Sequence, residues 1–133
     1  MQEQSVFTKI INGEIPAHRI YEDDRVIAFL SIQPLSAGHT LVVPKKQISQ
    51  IWDLDEDDYR YLWDTAKIIA KHLKDTLGSE RIGVVVKGFE VPHTHIHLVP
   101  IPHSHTVSLD PYPEPEFAEN DELAAIANSL KMQ

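Results

Sequence analysis

Residues 93–99 of the chain read HTHIHLV, which places histidines at positions 93, 95 and 97. Side chains alternate between the two faces of a β-strand, so this spacing predicts that His93, His95 and His97 share one face. Histidine changes charge near neutral pH and can act as a nucleophile, a general acid or a metal ligand. Three imidazoles on one face are costly unless they are used, and we therefore interpret this strand as a reaction centre.

Length and composition restrict the class of protein. The chain has 133 residues and no cysteine. This length suits one compact domain over residues 1–133, and the lack of cysteine excludes disulfides and thiolate zinc sites. No stretch reaches the roughly 20 apolar residues of a membrane span, and the polar start lacks the features of a signal peptide. We therefore expect a cytoplasmic protein without a membrane partner.

The charge of the chain argues against nucleic-acid binding. The formal net charge is −8, and no run of basic residues is longer than the pair Lys45-Lys46. Such a surface repels a phosphate backbone, so any phosphate that the protein binds is expected to be small and locally recognised.

Hydrophobic periodicity predicts an α+β fold. Phe7, Ile10 and Ile11 have helical spacing and stop at Gly13, which indicates a short first helix. Residues rich in β-branched and aromatic side chains predict strands over residues 17–21, 25–31, 39–44 and 81–87, in addition to the histidine strand.

Two further helices are expected. Apolar residues recur at steps of three and four from Tyr59 to Leu77, acidic residues crowd the start of this segment, and Gly78 follows it. A last helix is predicted over residues 121–130, with Asn120 as its N-cap. We expect helices to cover a sheet, and we assign no function to His72 on the long helix.

Three segments together resemble one known family. They are FTKIINGEIP at residues 7–16, GHTLVVPK at residues 38–45 and the histidine row. In their order and spacing they are similar to the histidine triad (HIT) family, in its nucleotide-binding, phosphoramidase-like branch. The likeness covers residues 6–100, whereas residues 101–133 form a tail outside it. It implies a HIT-like α+β fold with an antiparallel sheet, and a homodimer joined through the sheet and the long helix.

The resemblance also implies an activity. Family members bind purine nucleotides and cleave a substituent from the α-phosphate without a cofactor, and His95 would attack phosphorus to give a nucleotidyl-histidine intermediate. A neutral imidazole is a competent nucleophile at pH 7, and three close imidazolium groups repel, so at least one pKa in the row should fall. His93 and His97 would orient His95 or donate hydrogen bonds to phosphoryl oxygens, and by resemblance His39 joins the site.

The resemblance assigns nucleobase binding to a set of residues that could equally be ordinary residues of the hydrophobic core. The set is Val6, Phe7, Ile10, Ile15, Phe29, Leu30 and Ile32. Beside it, Ser31 stands where many relatives carry an Asp that accepts hydrogen bonds from both ribose hydroxyls. A neutral hydroxyl accepts more weakly than a carboxylate, so we expect weak discrimination between ribose and deoxyribose.

Two other departures affect the chemistry. Ile82 and Phe89 replace the family's Asn and Gln ahead of the triad, and Glu90 replaces the following Ser. Glu90 would act as a general acid if its pKa were raised, or its charge would disfavour polyphosphate substrates. Ser5 and Thr8 replace a Cys pair that binds structural zinc in some bacterial relatives, so we expect no such zinc site.

These observations favour a nucleoside phosphoramidase-like hydrolase or transferase, with dinucleoside polyphosphate cleavage as the enzymatic alternative. Two other classes stay open. Histidines at alternate strand positions can ligate zinc, with His103 and His105 as further ligands, although that segment is bounded by prolines and solvated imidazoles are the simpler interpretation. A catalytically silent nucleotide-binding protein would keep the fold without turnover.

Overall fold

The computed structural model describes residues 3–103, 107–109 and 115–132. The described chain is an α+β structure, as predicted, in which helices pack on a five-stranded sheet. In chain order the elements are α1 (Val6–Ile11), β1 (Arg19–Glu22), β2 (Val26–Leu30), β3 (Thr40–Pro44), α2 (Glu56–Leu77), β4 (Arg81–Val85), β5 (Ile96–Ile101) and α3 (Asn120–Leu130), with a short 3-10 helix at Ile51–Asp53 before α2.

The sheet has the strand order β1-β2-β3-β5-β4, and every neighbouring pair is antiparallel. His97 on β5 lies opposite Leu41 on β3 and Val85 on β4. β5 is therefore an interior strand, and this holds the end of the histidine row in the middle of the sheet.

The histidine row does not lie on a single strand, contrary to the sequence prediction. β5 begins at Ile96, so His93 and His95 precede it and only His97 belongs to it. The backbone N–H of Thr94 donates to the carbonyl of Ile48 at 2.7 Å, and that of His93 donates to Val91 at 2.8 Å. The approach to β5 is therefore an irregular segment, although His93 and His95 both pack edge-on against the Phe7 ring, at 5.8 and 4.9 Å between centroids.

Helix α2 confirms the predicted amphipathic helix, and its ends have defined caps. The Asp55 side chain accepts from the backbone N–H of Asp58, and Gly78 ends the helix in the left-handed conformation at φ 68°. Its buried apolar side chains, Leu62, Ala66, Ile69 and Leu73, join the main core beneath the sheet. Within the described residues, no helix is both long and apolar enough to cross a membrane.

Helix α3 confirms the last predicted helix, but Asn120 is not its N-cap. Glu119 occupies the capping position without a side-chain hydrogen bond to the helix, and Asn120 is the first helical residue. The Asn120 side chain instead bonds to His18, at 2.9 Å between Oδ1 and Nε2. His18, 102 positions away in the sequence, therefore binds the side-chain oxygen that would otherwise cap the helix. Beyond the helix, the N–H of Met132 donates to Ile20 on β1 at 2.8 Å.

Candidate functional site

A cavity of about 790 Å³ opens between α1, β2 and the histidine row. His39, His95 and His97 line it together with Glu90. The structure also brings to it every residue that resemblance assigned to nucleotide binding: Val6, Phe7, Ile10, Ile15, Phe29, Leu30, Ser31 and Ile32. Among the predicted site residues, only His93 lies outside the lining.

The hydrogen bond made by His95 determines its tautomer. His95 is 3% exposed, and its Nδ1 lies 2.7 Å from the backbone carbonyl oxygen of His93. A carbonyl only accepts, so Nδ1 carries the proton and Nε2 of the neutral ring keeps its lone pair. Burial lowers the pKa of His95, against the opposing effects of the His93 carbonyl and the charge of Glu90. His95 therefore has a free imidazole nitrogen at neutral pH.

His39 and His97 form a pair of rings that presents a hydrogen-bond donor next to His95. The backbone N–H of Leu35 donates to His39 Nδ1 at 3.0 Å, so the ring proton of neutral His39 is on Nε2. The Nε2–H of His39 donates to His97 Nδ1 at 3.0 Å. Because His97 Nδ1 accepts this bond, the ring proton of neutral His97 is on Nε2. Burial is the main cause that lowers the pKa of His39 to about 4 and that of His97 to about 3. The rings of His95 and His97 lie 4.9 Å apart between centroids.

His93 supports the site from below rather than lining it. It is completely buried, with its Nε2 donating to the carbonyl of Pro44 at 2.7 Å and its Nδ1 accepting from the Ser5 hydroxyl at 2.7 Å. Burial lowers its pKa. Since the His93 carbonyl holds His95, the fixed position of His93 sets the orientation of the candidate nucleophile.

A polar cluster fastens His93 to α1, and sequence analysis identified only part of it. Gln47 Oε1 accepts from the backbone N–H of Ser5 at 2.8 Å and from the Thr8 hydroxyl at 2.6 Å. Gln47 Nε2 donates to the carbonyl of Glu3 at 2.6 Å. Gln47 lacked any sequence signal, because its role depends on contacts with residues about forty positions away.

The donor set of this cluster does not suit zinc. Two hydroxyls and an amide are poor zinc ligands compared with thiolate or free imidazole, and both nitrogens of His93 are already engaged. Across the described ranges, no group of three or more His, Cys, Asp or Glu residues is placed to hold a metal ion. Of the alternative ligands, His103 is exposed and His105 lies outside the described residues.

The segment that follows β5 forms another wall of the cavity. The backbone N–H of Ala118 donates to the carbonyl of Ile32 at 2.9 Å, and the amide of Gln33 donates to the carbonyl of Pro115 at 3.1 Å. This wall brings to the lining Leu109, Pro115, Phe117, Ala118, Asn120 and Leu123. Sequence analysis missed these residues, because the tail lies outside the resemblance and carries no motif.

The three residues ahead of the triad that differ from the family pattern, Ile82, Phe89 and Glu90, lie in different environments. Glu90 and Lys87 both line the cavity, whereas the Phe89 side chain is 82% exposed and lies outside the lining. Ile82 is half-buried against the main core. Only Glu90 of the departures ahead of the triad is thus placed to meet a ligand.

Comparison with known proteins agrees with this geometry. A family model described as the HIT domain matches residues 12–105. A HIT-like protein of Methanocaldococcus jannaschii is 43% identical over 100 residues, covering 71% of this chain and 77% of that protein. The protein named adenylylsulfatase HINT3 of Arabidopsis thaliana is 31% identical over 105 residues, covering 75% of this chain and 53% of that protein.

The similarity extends to solved structures. The crystal structure of a HIT-like protein from Bartonella henselae, described as involved in cell-cycle regulation, matches with a TM-score of 0.86 at 29% identity. The match covers 98% of this chain and 97% of that one. The matched domain, the identity of the relatives and the shared fold show that the chain belongs to the histidine triad (HIT) family of hydrolases and nucleotide-binding proteins.

Proposed function

We propose that the protein is a purine nucleotide hydrolase or transferase, phosphoramidase-like, that cleaves a substituent from the α-phosphate through a nucleotidyl-His95 intermediate. The observation that carries the proposal is the pair of tautomers at the cavity wall. The lone pair of His95 Nε2 and the N–H of His97 Nε2 belong to rings 4.9 Å apart, which gives a nucleophile beside an electrostatic stabiliser.

The reaction balances with the side chains of this chain and water. His95 Nε2 attacks the α-phosphorus, a P–N bond to the ring forms, and the bond from phosphorus to the substituent breaks. The substituent leaves with its electron pair and takes a proton from solvent. A water molecule then attacks phosphorus and releases a proton to solvent, the bond to His95 breaks, and a nucleoside monophosphate is released. The His97 N–H donates to a phosphoryl oxygen as negative charge grows in each step.

Glu90 favours an amine as the leaving substituent. Its carboxylate lines the cavity, and its charge partly opposes the lowering of the His95 pKa by burial. A carboxylate there attracts a protonated amine product, which supports phosphoramidate over dinucleoside polyphosphate substrates, while Lys87 adds a positive charge to the same lining.

The apolar end of the cavity supports binding of a planar base. Phe7 packs edge-to-face on Phe29 with centroids 5.5 Å apart, and Ile10 and Leu30 line the same cavity. Apolar walls with a few polar groups are typical of small-molecule sites. We assign the base to this end and the α-phosphate to the histidine end.

We also propose a two-fold homodimer. β4 is an edge strand of the sheet, and Val84 on β4 and Val86 just beyond it are 48% and 38% exposed. Ile68 on α2 is 57% exposed, although the main apolar stripe of that helix is used in its own core. Pairing of these surfaces with a second copy would cover the edge. Light scattering at micromolar concentration is expected to give twice the monomer mass, and a monomer would overturn this assignment.

Turnover of adenosine 5′-phosphoramidate tests the proposed activity. We expect release of AMP and ammonia, with a lower kcat/KM for diadenosine polyphosphates. Glu90→Gln is expected to narrow the difference between the two substrates. Binding of AMP without turnover of either substrate would favour the catalytically silent alternative, and failure to bind AMP would overturn the nucleotide assignment itself.

A further inference from the structure

We propose that Asn120, held by His18, is a specificity-determining residue that binds the sugar of the nucleotide. This inference rests on the proposed function, because it concerns the same cavity. Both side chains line the cavity, and neither belongs to the histidine row or to the apolar slot. The tail therefore contributes a contact to the ligand in addition to covering the fold.

Backbone hydrogen bonds bring the segments that carry His18 and Asn120 to the segment that carries Ser31. The N–H of Leu30 donates to the carbonyl of His18 at 3.0 Å, and the N–H of Ala118 donates to the carbonyl of Ile32 at 2.9 Å. Leu30 and Ile32 are the two chain neighbours of Ser31, so His18 bonds to the residue before Ser31 and the segment leading to Asn120 bonds to the residue after it. The bond between His18 Nε2 and Asn120 Oδ1, at 2.9 Å, joins these two segments directly.

The chemistry of the group suits a sugar diol. Since the ring N–H of His18 donates to Asn120 Oδ1, the side chain of Asn120 is held in one orientation, with the N–H groups of Nδ2 available to a ligand. Ser31 Oγ accepts from the N–H of Gln33 at 3.2 Å, and its own proton remains available to donate. A hydroxyl and an amide together offer donors and acceptors to ribose without adding charge.

A purely structural role for Asn120 makes a different prediction. If it only joins α3 to β1, its removal weakens the fold and affects every nucleotide equally. If it contacts the sugar, its removal affects the ribonucleotide more than the deoxyribonucleotide. The ratio of the two affinities therefore separates the roles, even if Asn120→Ala also lowers the melting temperature.

Calorimetric titration of the full chain with AMP and with 2′-deoxy-AMP tests the proposal. The wild type is expected to bind AMP about three- to tenfold more tightly, as a neutral hydrogen bond contributes. Asn120→Ala is expected to reduce this preference below about twofold. Asn120→Asp keeps the oxygen that His18 uses and can accept from the sugar, so it is expected to keep or increase the preference. Asn128→Ala is the matched control, because Asn128 is an exposed residue of the same helix that lies outside the lining.

Each outcome has a defined meaning. An unchanged AMP preference in Asn120→Ala, or equal losses for both nucleotides, would overturn the role of Asn120 while leaving the proposed function intact. Absence of AMP binding by the wild type would overturn both. A wild type that binds the two nucleotides equally would also overturn the sugar contact.

Discussion

The two ends of the cavity are built differently. At the histidine end, His39 and His95 are nearly completely buried, and their ring protons are assigned by bonds to backbone groups or to a neighbouring ring. At the end lined by Ser31 and Asn120, where we propose that the sugar binds and which we call the sugar end, the lining is open, with Ile32 at 55% and Phe117 at 70% exposed. The two ends both join distant segments: 58 positions separate His39 from His97 at the histidine end, and more than eighty positions separate the bonded residues at the other end.

This difference reflects what each end has to do. A nucleophile needs one tautomer and one orientation, and burial among fixed partners supplies both. Selectivity needs only a difference in affinity between ligands, and a few neutral hydrogen bonds at an open wall supply it. Substitutions at the histidine end should therefore cause abrupt losses, and those at the sugar end graded ones.

The largest effect is expected for His95→Asn. The variant loses the nucleophile, so kcat/KM should fall by at least about a thousandfold while AMP binding and the fold are largely kept. Steady-state turnover of adenosine 5′-phosphoramidate measures the loss, with His72→Asn as the control, because His72 lies on α2 outside the cavity lining. Retention of more than about a tenth of the wild-type rate would contradict the assignment of His95.

Acid should destabilise the protein by protonating the unfolded forms of two histidines of the histidine end, His39 and His97. The pKa is about 4 for His39 and about 3 for His97, against an ordinary value of 6.5, so below pH 6.5 the unfolded chain binds protons that the native chain does not. The free energy of unfolding therefore falls as the pH is lowered through this window and is insensitive to these groups above it. At pH 5 the cost is about 2 kcal/mol for each histidine.

Urea unfolding at pH 7.5 and pH 5.0 measures this loss. His39→Gln removes one titrating group and should give a shallower dependence on pH. Equal stability of the wild type at the two pH values would show that the rings are not buried in the neutral form.

A smaller loss of stability is expected for Ser5→Ala. The Ser5 hydroxyl caps α1 by accepting from the N–H of Thr8 at 3.0 Å, and it also bonds to His93. Its removal leaves the buried Nδ1 of His93 with only the Thr8 hydroxyl, 3.4 Å away, which should cost about 2 kcal/mol in the free energy of unfolding. Chemical denaturation should show this loss in Ser5→Ala and little change in Ser49→Ala, which alters an exposed serine. Equal stability of both variants would contradict the supporting role of the cluster.

The smallest effect is expected at the sugar end. The wild type should prefer the ribonucleotide phosphoramidate over its 2′-deoxy analogue by less than about tenfold in kcat/KM, since Ser31 offers no charge-assisted bond. Ser31→Asp should widen this preference. Strong ribose preference in the wild type that Ser31→Asp leaves unchanged would mean that Ser31 does not face the sugar.

The separation of contacts along the chain explains what could be predicted from sequence. The order of helices and strands followed from periodicity, and the candidate nucleophile followed from a motif of adjacent residues. Long-range contacts that leave no local pattern account for the bonds of Gln47 to Ser5 and Thr8, the bond between Asn120 and His18, and the wall formed by the tail. Even the strand boundary at Ile96 was set by contacts with Ile48 rather than by the alternation of the histidines.

Helix α3 also has a consequence for biosynthesis. α3 follows all five strands in chain order, and the residue after Lys131 donates a backbone hydrogen bond to β1, an edge strand of the sheet. On the ribosome the strands emerge first, so β1 is open to pairing with other nascent chains until α3 has been translated. A premature stop before α3 would yield a polypeptide that has the histidine row but is prone to aggregate.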